Sequence, residues 1–250
     1  NEHRQSDRLR MWARTDSVAN RENSAKASNG RATALEHDNG YLCVWVTDFY
    51  EKLNDMAAAQ EQVRLALVNK NIDVETKLAL FKDYIGRSLR ENAPMEYADT
   101  LFAAVLEQHP QEVEFHKLYA DLLQVQKRKK EACEQLEIVV GLAPSEQNYW
   151  LQYVALNLSD SSFQEAIKVA DRAIKYLPEA PMLYLYKSVA YSQLSQFDKA
   201  TASIMTGIEK TDPEEVEMLS VLYGQLGDMF LQMGTNANVY ALYETSLNFF

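Results

Sequence analysis

Residues 98–110 read ADTLFAAVLEQHP, residues 132–144 read ACEQLEIVVGLAP, and residues 166–178 read AIKVADRAIKYLP. Each stretch opens on alanine and closes on proline. Ala98, Ala132 and Ala166 therefore form one ladder and Pro110, Pro144 and Pro178 another, both with a step of 34 residues; Ala200 continues the first. Two ladders sharing one period mark an internal repeat. Within the stretches, Ala98, Phe102 and Val105 fall at i, i+4 and i+7. So do Ala132, Leu136 and Val139, and Ala166, Ala170 and Ala173, which is the spacing of one helix face. The prolines end these helices, since each lacks an N–H and disfavours helical backbone in the residue before it.

The pattern extends in both directions. Upstream, Val46 and Tyr50 are expected to face inward from a first helix, and Asn54–Asp55 supplies a turn. Ala59, Val63 and Ala66 then share a face of the second helix. Alanine suits Ala59 and Ala66 because two paired helices approach closely there, and a larger side chain would cost about 1–3 kcal/mol by overpacking. The unit from Asn71 to Pro110 is longer. Its first helix is expected over Val74–Leu89, and the insertion ENAPME places Pro94 near the start of the second, where its missing N–H costs nothing. Units Gln111–Pro144, Ser145–Pro178 and Glu179–Pro213 follow, with Tyr119, Ala120, Leu123, Trp150, Tyr153, Tyr184, Tyr191, Phe197 and Ile204 as further core candidates. A last unit holds LYGQLGDMFLQMG and then VYALYETSL. Residues 1–30, rich in Arg, Asn and Ser, have no apolar stripe. The expected organisation is a poorly defined or non-repeat segment over 1–30 and a repeat domain over 31–250. That domain comprises about five to six helix pairs and is cut short inside the last.

Composition agrees. The chain has 250 residues, 47% hydrophobic and 24% charged, with only 8 Gly and 6 Pro, too few turn formers for an all-β design. Its apolar runs are far shorter than the ~20 residues that span a bilayer. No N-terminal stretch combines a basic start, an apolar core and a small-residue cleavage site. Cys43 and Cys133 lie far apart on expected helices and read as packed free thiols. The net charge is −11. Residues 1–40 hold 7 of the 25 basic and 6 of the 36 acidic side chains, so residues 41–250 hold 18 against 30. Such a surface repels nucleic acid and anionic membranes and suits solubility or a basic partner.

From about Gly40 to Phe250 the chain resembles the tetratricopeptide repeat family, on the strength of the period, the small-residue positions and the closing prolines. Leu226-Gly227 with Phe230 matches the family's Leu-Gly and aromatic core most closely. Lys129 departs from it where an aromatic usually packs, Lys187-Ser188 replaces a Leu-Gly pair, and Val239 replaces a small residue. More narrowly, LALVNKNIDVETKL followed by YADTLFAAVLEQHP is similar to tetratricopeptide proteins of the Bacteroidota cell envelope. The resemblance implies an all-α, right-handed superhelical solenoid of helix–turn–helix pairs. It also implies an exported or lipid-anchored protein with further repeats beyond Phe250.

In that family the first helix of each pair lines the binding face, with ligand-holding positions two, five, nine and twelve residues into the unit. Carried onto this chain, these are Glu114, Lys117, Asp121 and Gln124, then Asn148, Leu151, Ala155 and Leu158. Met182, Leu185, Val189 and Ser192 follow, and finally Val221, Gly224, Asp228 and Leu231. The series begins charged and turns apolar. Leu151, Leu158, Met182, Leu185, Val189 and Leu231 are the candidate protein-binding residues, forming a hydrophobic groove for an apolar peptide or amphipathic helix. A register displaced by one residue, or packing between neighbouring helices, is the other reading of the same side chains.

No catalytic, cofactor-binding or metal-binding residue is expected. The family's carboxylate clamp needs Lys, Asn and Arg across successive first helices, and here only Lys117 and Asn148 stand in place. His109, Glu112, Glu114 and His116 cluster around the Pro110 turn without metal-ligand spacing, and His116 is expected to point inward. Acids at a helix start suit its dipole. The run Lys127-Arg128-Lys129-Lys130 reads as a solvated turn, and no phosphate loop or nucleophile elbow is present. The expected function is non-catalytic protein binding or scaffolding without a cofactor. Two alternatives are a recruiting or regulatory module of a larger enzyme and self-assembly through the end at Leu247, Phe249 and Phe250.

Overall fold

The computed structural model describes residues 46, 47, 50, 55–90, 96–234 and 244. Ten α-helices, and no strand, lie among the described residues. They are α1 (Met56–Val68), α2 (Val74–Arg90), α3 (Glu96–Gln108), α4 (Val113–Val125), α5 (Lys129–Leu142), α6 (Gln147–Ser159), α7 (Phe163–Tyr176), α8 (Pro181–Gln193), α9 (Phe197–Lys210) and α10 (Val216–Gln232). The fold is an all-α series of helix pairs. The chain divides into two compact units, residues 1–115 and 116–250. Pro94, Val239 and the C-terminal Leu247, Phe249 and Phe250 lie outside the described residues.

In the first unit, α1 starts where Asp55 Oδ1 accepts from the Ala58 amide at 3.3 Å. Asp73 caps α2, accepting from the Thr76 amide and hydroxyl, each at 2.8 Å. Both carboxylates satisfy amides that the first helical turn leaves without partners. The small residues Ala59, Ala66 and Ala98 are buried, as their spacing predicts. The Phe81 and Phe102 rings lie 4.3 Å apart between α2 and α3, and Gln108 Nε2 donates to the Val68 carbonyl at 2.8 Å. α2 reaches Arg90, one residue past the expected end.

The second unit repeats its construction. First helices α6 and α8 have 13 residues each, and second helices α5, α7 and α9 have 14. Among the described residues three non-glycine residues hold positive φ: Lys127 (61°), Ser161 (58°) and Ser195 (57°), again 34 apart. Each sits just past a first helix, and the residue after it donates back across the last turn. These bonds are Arg128 N to Leu123 O at 2.8 Å, Ser162 N to Asn157 O at 2.9 Å and Gln196 N to Tyr191 O at 2.9 Å. This is a Schellman stop, which satisfies the last carbonyls and reverses the chain into the second helix.

Small residues then let the helices close. Ala166, Ala170 and Ala173 of α7 are fully buried with Trp150 and Val154 of α6 and Leu183 and Ala190 of α8. A Cβ on Gly207 would stand 3.2 Å from Tyr184 Cβ and 3.3 Å from Leu222 Cδ2, so glycine permits the contact of α9 with α8 and α10. The first helices form one layer. Gln152 of α6 donates to Asp121 of α4, while Ser188 and Ser192 of α8 bond Met229 and Gln232 of α10. The second helices form the other layer, where Arg172 of α7 grips Glu137 of α5 through two bonds of 2.8 and 2.7 Å.

Candidate protein-binding face

Two first helices of the second unit, α6 and α8, differ sharply in charge from the second helices beside them. α6 contains no Asp, Glu, Lys or Arg. α8 contains only Lys187, whose ammonium is drawn 2.6 Å from Asp171 on α7. By contrast α5 carries Lys129, Lys130, Glu131, Glu134 and Glu137, and α7 carries Glu165, Lys168, Asp171, Arg172 and Lys175. In place of charge, the solvent side of the first-helix layer presents Asn148, Leu151, Gln152 and Ala155 on α6. On α8 it presents Met182, Tyr186, Val189 and Gln193, none of them buried.

The six candidate residues occupy three kinds of position. Leu151 and Leu158 are half-buried against the core between α6, α7 and α8. Met182 is half-buried against the next core, Val189 is half-buried, and Leu231 is 48% exposed. Leu185 is only 6% exposed and belongs to the core, with Ala200, Ile204 and Leu222. Ser192, expected outside, is also buried, and its hydroxyl donates to Gln232 Oε1 at 2.7 Å. The outward stripe of α8 therefore runs Met182, Tyr186, Val189, Gln193, at i, i+4, i+7 and i+11, instead of through Leu185 and Ser192. Tyr186 and Gln193 are the outward residues of α8 that sequence reasoning missed. The signal was the pair Ser188 and Ser192, small polar side chains four apart that turn toward α10 and rotate the rest of the helix accordingly.

At one margin of this layer Lys117 Nζ donates to Asp121 Oδ2 at 2.9 Å, and Gln152 Nε2 donates to Asp121 Oδ1 at 2.6 Å. The one basic residue of the expected lining is thus held by a carboxylate. His116 points inward as expected: it is buried, and its Nδ1 lies 2.8 Å from Gln135 Oε1. His109 turns elsewhere, with Nε2 2.9 Å from the ammonium of Lys77, which is fully buried on α2. Burial lowers the pKa of both groups, and the Lys77 charge lowers that of His109 further. Among the described residues no three His, Cys, Asp or Glu side chains converge as metal ligands.

In the basic run, Lys127 is the left-handed turn residue, and Arg128 pairs with Glu131. Lys129, the departure from the aromatic pattern, donates to the Ser159 carbonyl at 3.1 Å and pairs with Asp160 at 3.2 Å. A long cation reaching the end of α6 there replaces the missing ring contact and meets the negative end of that helix. Cys133 is half-buried, and burial pushes its thiol pKa up; Cys43 lies outside the described residues. No described helix is long and apolar enough to cross a membrane.

Antiparallel helix pairs stacked in two layers at a 34-residue period define the tetratricopeptide repeat fold, and similar solved structures carry that fold. The C-terminal part of a TPR repeat-containing protein from Cytophaga hutchinsonii aligns over 97% of this chain and 94% of its own, at 12% identity and a TM-score of 0.58. A tetratricopeptide repeat protein from Parabacteroides merdae aligns over 84% and 79%, at 15% identity and a TM-score of 0.52. MamA from Desulfovibrio magneticus RS-1 aligns over 69% and 94%, at 17% identity and a TM-score of 0.52. At these identities the likeness is one of fold. No protein-family model matches the sequence, and no curated protein matches it.

Proposed function

We propose that this protein is a non-catalytic protein-interaction scaffold that holds a partner segment on its first-helix layer. The carrying observation is the charge asymmetry: α6 has no charged residue and α8 has one, beside second helices α5 and α7 with five each and α9 with four. Charge depletion with aromatic and Met enrichment is the compositional mark of a protein–protein interface. Here it coincides with half-buried Leu151, Met182, Tyr186 and Val189. Exposed apolar residues on the second helices, such as Tyr176 and Met205, are scattered among charges and need no partner. Leu151, Leu158, Met182, Val189 and Leu231 contact the partner, and Leu185 supports them from beneath. A cell-envelope location belongs to the same proposal and is carried by the sequence resemblance.

The test is affinity capture from the native host's envelope fraction with the wild-type chain and with Val189→Glu. A partner retained by the wild type and lost by the variant, with helicity and melting unchanged, supports the scaffold. Retention of the same partner by both chains overturns the assignment of this face.

A further inference from the structure

The outward sides of α6 and α8, two helices in contact, mix two kinds of group. The apolar ones are Leu151, Met182 and Val189, all half-buried. The polar ones are Asn148 and Gln193, both exposed, and the half-buried Tyr186. Among the described residues these three polar side chains hydrogen-bond to none. The charges around this face are matched within the chain. Lys187 of α8 is 2.6 Å from Asp171 on α7. On α4, Lys117 and Asp121 pair at 2.9 Å, and Gln152 takes the second oxygen of Asp121 at 2.6 Å. On α10, Asp228 has an interaction of its own within the chain, and Glu217 stands in the first turn, where the helix dipole favours it. The acidity of the chain, net −11, therefore does not extend onto α6 and α8.

Resting on the scaffold reading above, we infer that the protein segment held by α6 and α8 is uncharged, with apolar side chains against Leu151, Met182 and Val189 and Gln, Asn, Ser or Thr against Asn148, Tyr186 and Gln193. A charged side chain set down there would leave water with no counter-ion to meet it, which costs far more than burying a neutral group that finds a hydrogen bond. The two amides and the hydroxyl lose water on contact. They recover their hydrogen bonds from neutral groups that, like themselves, both donate and accept. Selection on this face works by exclusion, a mismatched partner being rejected through its own desolvated charge. The acidic character of the rest of the chain would by itself favour a cationic segment, so the two expectations can be told apart.

The probes are labelled peptides of Leu and Gln, Leu and Lys, and Leu and Glu in one pattern, each with the same Gly/Ser tail, read by fluorescence anisotropy on the full chain at physiological ionic strength. The Leu/Gln peptide is expected to bind about tenfold or more tightly than either charged one, with an affinity that salt leaves unchanged. The double variant Asn148→Glu/Gln193→Glu, at two exposed positions, is expected to transfer the preference to the Leu/Lys peptide. The matched control Gln164→Glu/Ala202→Glu, at exposed positions of α7 and α9, is expected to keep the Leu/Gln preference. Equal transfer in both variants shows a response to total charge and overturns the inference. Tightest binding of the Leu/Lys or Leu/Glu peptide to the wild type, weakened by Val189→Ser, overturns the uncharged partner while the first-helix face stands. Binding of none of the peptides, or binding that Val189→Ser leaves unchanged, overturns the scaffold reading as well.

Discussion

Trp150 donates its indole Nε1–H to the carbonyl of Pro144 at 2.9 Å. One period later Tyr184 gives its hydroxyl to the carbonyl of Pro178, also at 2.9 Å. The proline that ends one helix pair is thus hydrogen-bonded to the aromatic residue that begins the core of the next. The same bond in consecutive repeats fixes how each first helix enters the stack. Trp150 also lies under Arg172, 5.5 Å from the ring centre, and stacks with Tyr176.

Loss of either bond is expected to cost about 1 kcal/mol, the net value of a hydrogen bond to a half-buried acceptor. Tyr184→Phe removes only the hydroxyl and isolates that cost. Trp150→Ala removes the ring as well and is expected to cost about 3–5 kcal/mol. Urea denaturation of the two variants measures both, and equal losses would contradict the assignment.

Ser161 and Ser195 occupy left-handed backbone that L-residues adopt at a cost. Ser161→Gly and Ser195→Gly are therefore expected to raise stability by up to about 1 kcal/mol each, the relief of strain exceeding the added freedom of the unfolded chain. The urea midpoint is expected to rise with an unchanged slope. A fall in the midpoint for both would show that their side chains support the turn.

The Lys77–His109 contact makes the first unit sensitive to acid. Both groups are bases whose folded-state pKa lies below the ordinary value, 6.5 for His109 and 10.5 for Lys77. The unfolded chain therefore binds more protons, and stability rises with pH. For His109 the stability is full above pH 6.5 and declines as pH falls from there through its lowered folded value. Lys77 adds a further gain as pH rises through its folded value toward 10.5. Lys77→Met is expected to move the His109 midpoint in an NMR titration back toward 6.5 and to flatten the acid-side loss. A midpoint unmoved by that substitution would show that the lysine charge is not felt at the imidazole.

The fold was legible in the sequence because its determinants are periodic. The small residues Ala132, Ala166 and Ala200 and the closing prolines are required by helix contact and chain reversal, and they recur visibly. The turn positions 127, 161 and 195 recur at the same period, but Lys and Ser stand there instead of glycine, so the left-handed turns left no mark in composition. The proposed binding face was legible only in outline. Leu151, Met182 and Val189 fall on the solvent side of their helices, whereas Leu185 does not. The rotation of α8 is set by Ser188 and Ser192 meeting α10, a contact between elements 40 residues apart in the chain. The buried Lys77 was not legible either, since nothing in its neighbourhood signals that a lysine on an amphipathic helix turns inward to a histidine just past the end of the next helix.

The measurement that tests the central claim most directly is hydroxyl-radical footprinting of the full chain with and without its captured partner. Met182 on α8 and Met205 on α9 serve as paired reporters, one on each layer. Oxidation of Met182 is expected to fall on binding, together with that of Leu151 and Leu231, while Met205 and Tyr176 stay unchanged. Protection of Met205 and Tyr176 with Met182 unaffected would place the partner on the second helices and contradict the account.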